Sequence, residues 1–121
     1  MLTLKILLFF PIIGFGQSNF NFSSSTIDIV YEVVPTGTIT TIDVNGTVIN
    51  TFPSVEIYMF GDTVSLIPTI DPLYYFSHWE ADSSIILPNT STEQVTFYAD
   101  YMDTIRLHII LKPTIISFIS G

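Results

Sequence analysis

Apolar and polar residues alternate along most of this 121-residue chain, and that two-residue period limits its fold more than any other feature. The alternation is clear from Ile27 to Val33 and again over residues 104–112. In the second segment, the residues predicted to point inward are Ile105, Leu107, Ile109 and Leu111. Nowhere do apolar residues recur with helical spacing over the roughly 10 to 12 residues that a helix needs. The sequence therefore predicts a mainly β fold, either a compact β-grasp-like module or a small β-sandwich of about six to seven short strands. An immunoglobulin-like sandwich is the alternative architecture, because several short strands with frequent turns also suit it.

Asn45-Gly46 gives the strongest local prediction. Both residues tolerate a positive φ, which a two-residue hairpin loop requires, and strand-like segments flank them at residues 38–44 and 47–52. We therefore expect a hairpin at Asn45-Gly46.

Residues 95–98 and 104–112 are predicted as further strands.

Gly61-Asp62 predicts a second two-residue hairpin loop. In that register Met59 lies opposite Val64 and Ile57 lies opposite Leu66. All four side chains, together with Val55, would then share one face of a sheet.

The N-terminus has the pattern of an export leader. Lys5 supplies a short basic region, residues 6–13 are almost all apolar, and Gly14 and Gly16 are small residues before a cut at Gln17. The apolar run is too short for a mature membrane-spanning helix, which takes around 20 residues. The alternative is a buried N-terminal strand or short hydrophobic helix. We expect a secreted or cell-surface protein whose mature chain does not insert into a membrane.

The chain length suits one domain. We divide it into a signal peptide (1–16), a Ser/Asn-rich flexible lead-in (17–25), a β-rich repeat-like module (26–112) and an apolar segment (113–121) that is a tail or the start of a further segment. With no cysteine, an exported domain of this kind fits a bacterial envelope better than a small animal secreted module, which is usually rich in disulfides.

The charge of the chain argues against two classes of partner. Eleven Asp and Glu residues face three Lys and Arg residues, giving a net charge of -8. Nucleic-acid binding normally needs clustered cations, and anionic membrane surfaces repel an acidic protein for the same reason. We expect no nucleic-acid partner; an unknown protein or a glycan remains.

Metal and catalytic signatures are weak. A zinc site needs three or four His, Cys or carboxylate ligands that converge, and this chain has two histidines and no cysteine. The aspartates lack the spacing of a calcium-binding loop, and this favours solvated acidic turns. These aspartates are Asp62, Asp71, Asp82, Asp100 and Asp103. Carboxylates that could serve a glycosidase by type alone are Glu56, Glu80, Asp82 and Glu93. A small domain of short strands has little depth for a sugar cleft, and no Gly-x-Ser-x-Gly turn is present. The sequence predicts neither an enzyme nor a cofactor.

The aromatic segment 74–80 contains the one tryptophan. Strict alternation puts Tyr74 and Phe76 on one face, with Tyr75 and Trp79 on the other. We expect Trp79 and Phe76 to be mainly core residues. The alternative is a surface on which Tyr74, Tyr75 and Trp79 stack a ligand such as a sugar.

The order of these motifs resembles the divergent internalin-type B-repeat, a module of large extracellular bacterial proteins, including those of Bacteroidetes. The matching segments are Val44–Gly46, Gly61–Leu66, Tyr74–Glu80 and Asp103–His108. The resemblance covers about residues 29–111. It implies a compact β-rich, β-grasp-like module without catalytic residues, acting as a spacer, adhesive or accessory unit. We therefore expect an exported non-catalytic interaction or spacer module, with a small carbohydrate-binding domain as the alternative.

Overall fold

The computed structural model describes residues 25–113, so the predicted leader, most of the lead-in and residues 114–121 lie outside the described residues. The described part has eight strands and no helix. In chain order they are β1 (Thr26–Val34), β2 (Thr41–Val44), β3 (Thr47–Ile49), β4 (Ser54–Met59), β5 (Thr63–Thr69), β6 (Tyr74–Ala81), β7 (Val95–Tyr98) and β8 (Asp103–Leu111). The predicted all-β class is confirmed, and residues 25–113 contain no helix suited in length and hydropathy to crossing a bilayer.

Two four-stranded sheets share one core. Sheet A has the order β4-β1-β8-β6 and sheet B the order β3-β2-β5-β7. The β1–β8 pair is parallel, and the other pairs are antiparallel. Buried residues from both sheets form a single hydrophobic cluster, so the sandwich alternative is the one adopted. Its order differs from that of immunoglobulin constant domains, whose first strand shares a sheet with the second, fourth and fifth.

Trp79 is the largest fully buried side chain of this core. Its side chain is 1% exposed, and its indole Nε1–H donates to the Glu93 carbonyl at 2.9 Å. That bond satisfies the ring's polar atom, so burial of the large apolar surface carries no unpaired donor. The core prediction for Trp79 is confirmed, and Phe76 packs against the same cluster.

The Asn45-Gly46 hairpin is confirmed. Val44 pairs with Thr47, and the two loop residues have φ values of 51° and 91°. The Asn45 side chain also ties the loop to the next strand, because its Oδ1 accepts from the Ser65 N–H at 2.8 Å. The flanking strands are shorter than predicted, since β2 begins at Thr41 and β3 ends at Ile49.

The predicted hairpin at Gly61-Asp62 is wrong. β4 belongs to sheet A, where it pairs with β1, while β5 belongs to sheet B, where it pairs with β2 and β7. Val64 and Leu66 are buried, but Val55, Ile57 and Met59 are exposed on the outer face of sheet A. The five side chains therefore do not share a face.

A local turn explains how the chain changes sheets. The Asp62 N–H donates to the Met59 carbonyl at 3.0 Å, and the Asp62 carboxylate accepts from the Met59 N–H at 2.9 Å. Beyond the turn, Gly61 and Asp62 exchange backbone hydrogen bonds with Ala99 at the end of β7. The same Gly-Asp pair that resembles a hairpin loop thus forms a corner between the two sheets.

The predicted face of Trp79 in the aromatic segment is wrong, because β6 contains a bulge. The register with β8 shifts between Phe76 and His78, so Phe76 lies opposite Ile109 and Trp79 opposite Leu107. Both partners are buried. The extra residue reverses the alternation, and Trp79 therefore shares the inner face with Phe76 rather than the outer face with Tyr75.

The far end of β8 departs from a second prediction. Ile105, Leu107 and Ile109 point inward as expected, but Leu111 is exposed. β1 ends opposite His108, so the last residues of β8 pair with β6 alone. Leu111 therefore lies beyond the end of β1, where no neighbouring strand on that side covers its side chain.

Candidate functional site

The structure separates the three residues predicted to stack a ligand. Tyr74 is half-buried against the core, and Trp79 is inside it. Tyr75 is 55% exposed on the outer face, with Lys112 Nζ 5.0 Å from its ring centroid. The three rings thus form no common platform, and stacking by Tyr75 alone stays a prediction.

Asp103 is buried and holds the loop that follows β6. Its carboxylate accepts from four backbone N–H groups, those of Asp82, Ser83, Ser84 and Thr104, at 2.6 to 3.2 Å. Because hydrogen bonds to an ionised group are about twice as strong as neutral ones, this side chain fixes the start of the loop. The solvated turn expected at Asp103 is therefore wrong.

Asp71, in the segment between β5 and β6, also accepts hydrogen bonds from backbone N–H groups. Its carboxylate accepts from the backbone N–H groups of Ile39 and Leu73 at 3.1 and 2.9 Å, and its own N–H donates to the buried Thr40 hydroxyl. It too is buried rather than solvated. The lone pairs of both aspartates are thus used by the fold.

Arg106 gathers carboxylates from three places on the outer face of sheet A. Its guanidinium lies 3.1 Å from Glu32, 3.6 Å from Glu80 and 2.9 Å from Asp82. The hydrogen bond to Asp82 raises the pKa of Arg106. Three negative groups around one cation make a poor anion site, so we assign the cluster to cross-strand pairing.

Two histidines continue this outer face. His78 and His108 lie opposite each other, with ring centroids 4.3 Å apart and planes 7° from parallel. His108 Nε2 is 2.6 Å from Glu80, and His78 Nδ1 is 2.8 Å from the Ser77 hydroxyl. Within residues 25–113, no three His, Cys, Asp or Glu side chains are placed to hold a metal ion together.

The carboxylates named as glycosidase candidates occupy different places. Glu80 and Asp82 meet at Arg106, whereas Glu56 lies on β4 and accepts from the Ser54 hydroxyl at 3.2 Å. Glu93 contributes its carbonyl to Trp79. The fold brings one pair together and binds it to a cation.

A concave site that the sequence interpretation did not single out lies near the end of β7. Tyr98, Tyr101, Asp100 and Ile85 line a cavity of about 220 Å³. Ser84 also lines it, and the hydroxyl of this residue is buried without a hydrogen-bond partner among residues 25–113. The alternation around Val95 and Phe97 could have indicated Tyr98 as an outward residue, because it is out of phase with both.

A wider groove of about 500 Å³ crosses the outer face of sheet A beside β4. Its lining combines apolar side chains (Val30, Val55, Met102) with carboxylates (Asp28, Asp82). All eleven Asp and Glu residues lie within residues 28–103, whereas Arg106 and Lys112 are the two Lys or Arg residues of the described chain. The surface is therefore strongly acidic, with apolar patches between its charges.

Comparison with known proteins gave no relative: no protein-family model, curated protein or solved structure matches the chain.

Proposed function

We propose that this chain is an exported, non-catalytic interaction or spacer module at a bacterial cell surface. The observation that best supports the proposal is that charged and aromatic side chains of the kind that often form binding or catalytic sites have structural roles here. Asp71 and Asp103 bind backbone N–H groups, Arg106 is enclosed by carboxylates, and Trp79 fills the core. These residues hold the loops and sheets in place.

Two features of the sequence agree with this role. The leader pattern of residues 1–16 favours export, and the motif order resembles internalin-type B-repeats, which serve as spacer or adhesive units. Buried carboxylates, rather than disulfides, hold loops of this cysteine-free sandwich. Such a module suits a role that demands a stable shape.

Mass spectrometry of the protein from culture medium and cell envelope tests the export step. We expect a mature chain that begins at Gln17. A chain that is found outside the cell with Met1 to Phe15 still attached contradicts the cleavage, and a chain confined to the cytoplasm contradicts the proposed location.

A second candidate function is binding of a small carbohydrate. The cavity beside Tyr98 and Tyr101 favours it, because two exposed rings lie beside the polar residues Asp100 and Ser83 in its lining. Aromatic rings with nearby polar groups suit sugars. At about 220 Å³ the cavity has room for little more than a single ring.

A glycan array separates the two functions. The carbohydrate proposal predicts reproducible binding that is lost in Tyr98→Ala if this cavity is used, or in Tyr75→Ala if the outer face is used. Val48→Ala, at an exposed position on β3, is the matched control. A blank array contradicts the carbohydrate function and leaves a protein partner or a spacer role.

A further inference from the structure

The four sheet edges of the sandwich differ in how they are protected. In sheet B, β3 has three residues, and β7 is covered where Leu87 and Thr96 exchange two backbone hydrogen bonds of 2.9 Å. In sheet A, β6 carries a bulge, and its Trp79 N–H is bonded to the Thr90 carbonyl at 2.8 Å. The remaining edge, β4, has six residues, and no strand among residues 25–113 pairs with its outer side.

The hydrogen-bond pattern shows which groups of β4 face that open side. The Phe60 N–H donates to the Ser25 carbonyl, so Phe60 faces β1. Since an antiparallel strand alternates between bonded and unbonded positions, Glu56 and Tyr58 also face β1. Val55 and Ile57 therefore direct their N–H and C=O groups outward, and Met59, which shares their phase, is already bonded to Asp62.

The exposed side chains of this edge are all apolar, and its one charged residue, Glu56, lies in the opposite phase. Val55, Ile57 and Met59 are 57%, 66% and 50% exposed on the outer face. Natural edge strands are commonly protected by charged residues, bulges or covering loops. On a chain with a net charge of -8, an apolar outer row of this kind on an open edge favours a docking role.

A second copy of the chain is a poor occupant. A symmetric antiparallel pair that uses the open groups of Val55 and Ile57 must place Glu56 directly opposite the Glu56 of the other copy. Like charges in that position destabilise a strand pair, and two strongly acidic chains repel each other. The charge that opposes self-pairing attracts a cation in the same place.

We propose that β4 binds an extended basic segment of another protein as an added antiparallel strand. Two apolar residues of the partner lie opposite Val55 and Ile57 on the outer face, and a Lys or Arg between them lies opposite Glu56. Backbone hydrogen bonds to the edge hold such a strand, while the alternate side chains set its specificity. This inference deepens the proposed interaction role by naming the surface and the partner's chemistry, and it rests on that role.

A short peptide of alternating Lys and Val is the probe, with titration of the full-length chain followed by fluorescence anisotropy. We expect the Lys/Val peptide to bind and a Glu/Val peptide not to bind. N-methylation of the valines, whose N–H groups would pair with β4, should abolish binding, whereas N-methylation of the lysines should leave it. Binding that is indifferent to methylation at both positions overturns the added-strand geometry.

Charge variants test the contact with Glu56. Glu56→Gln should weaken binding by about 2- to 5-fold, and Glu56→Lys should reverse the preference to the Glu/Val peptide. Glu93→Gln removes the same charge from an exposed loop and should bind like the wild type. Equal losses in Glu56→Gln and Glu93→Gln would show attraction to overall charge only and would overturn the proposal.

Two other occupants give distinct results, and either overturns the proposal. A second copy would appear as a dimer in sedimentation that Ile57→Lys disrupts. Residues 114–121 would be indicated if their deletion alone exposed the Val55 and Ile57 amides to exchange. No peptide binding at all overturns the β4 site but leaves the export and glycan experiments, which test the proposed function, unaffected.

Discussion

The hydroxyl oxygens of Tyr31 and Tyr58 lie 2.8 Å apart, joining β1 to the edge strand β4 on the inner side of sheet A. Burial is the main cause that raises the pKa of Tyr31, and the hydrogen bond to Tyr58 adds to it. Burial also raises the pKa of Tyr58, although its bond to Tyr31 acts in the opposite direction. Both groups therefore favour the neutral form in the folded protein.

This pair predicts a loss of stability at alkaline pH. Tyrosines of the unfolded chain ionise near pH 10, before those of the folded chain, so the contribution is complete below about pH 10 and falls as the pH rises further. Each buried tyrosine should lower the free energy of unfolding by up to about 1.4 kcal/mol per pH unit. Urea unfolding across this range measures the slope.

Two phenylalanine variants identify the source of that slope. Tyr31→Phe should unfold about 1 kcal/mol more easily at neutral pH, because it loses a hydrogen bond, and should show a shallower alkaline decline. Tyr75→Phe changes an exposed ring and should keep the wild-type slope. Identical slopes in the two variants would contradict the assignment.

Trp79→Ala should lower the free energy of unfolding by about 3–5 kcal/mol, since it removes the largest fully buried side chain, leaves a cavity and leaves the Glu93 carbonyl unpaired. Tyr75→Ala, on the same strand but exposed, should cost less than about 1 kcal/mol. Denaturant unfolding compares the two. A Trp79→Ala protein as stable as the wild type would show that the ring is not a core residue.

Asp103→Asn should destabilise the chain by about 2–4 kcal/mol, because the amide loses the charge and turns an NH2 group toward backbone N–H donors. Asp100→Asn removes a carboxylate three residues away, in a half-buried position at the tyrosine cavity. It should change the thermal midpoint little. Equal shifts in the two midpoints would mean that net charge, rather than the Asp103 contacts, sets the stability.

Local signals were sufficient for several elements of the fold. β7 has the predicted bounds, Val95–Tyr98, and the Asn45-Gly46 loop has the positive φ values that its residues allow. In both cases a short run of residues determines the geometry, through alternation or through backbone freedom. The interior positions of Ile29, Tyr31 and Val33 followed from the same alternation.

The errors arose where the outcome depends on distant residues. Alternation places Ile57 on one face of a strand but does not say which strand lies beside it, and here the partner is Asp28 in β1 rather than Leu66. The Ser77 bulge likewise carries no strong sequence signal, since Ser is common in both strands and turns. One extra residue there was enough to move Trp79 to the opposite face.

Backbone amide hydrogen exchange, read residue by residue by NMR, most directly tests the claim that β4 is the open edge of a sandwich. We predict fast exchange at Val55 and Ile57 and slow exchange at Glu56 and Tyr58 in the full-length chain, with protection of Val55 and Ile57 once the Lys/Val peptide is added. Slow exchange at Val55 and Ile57 in the free protein, with close contacts from Ile57 to Leu66, would contradict the account and restore a β4–β5 hairpin.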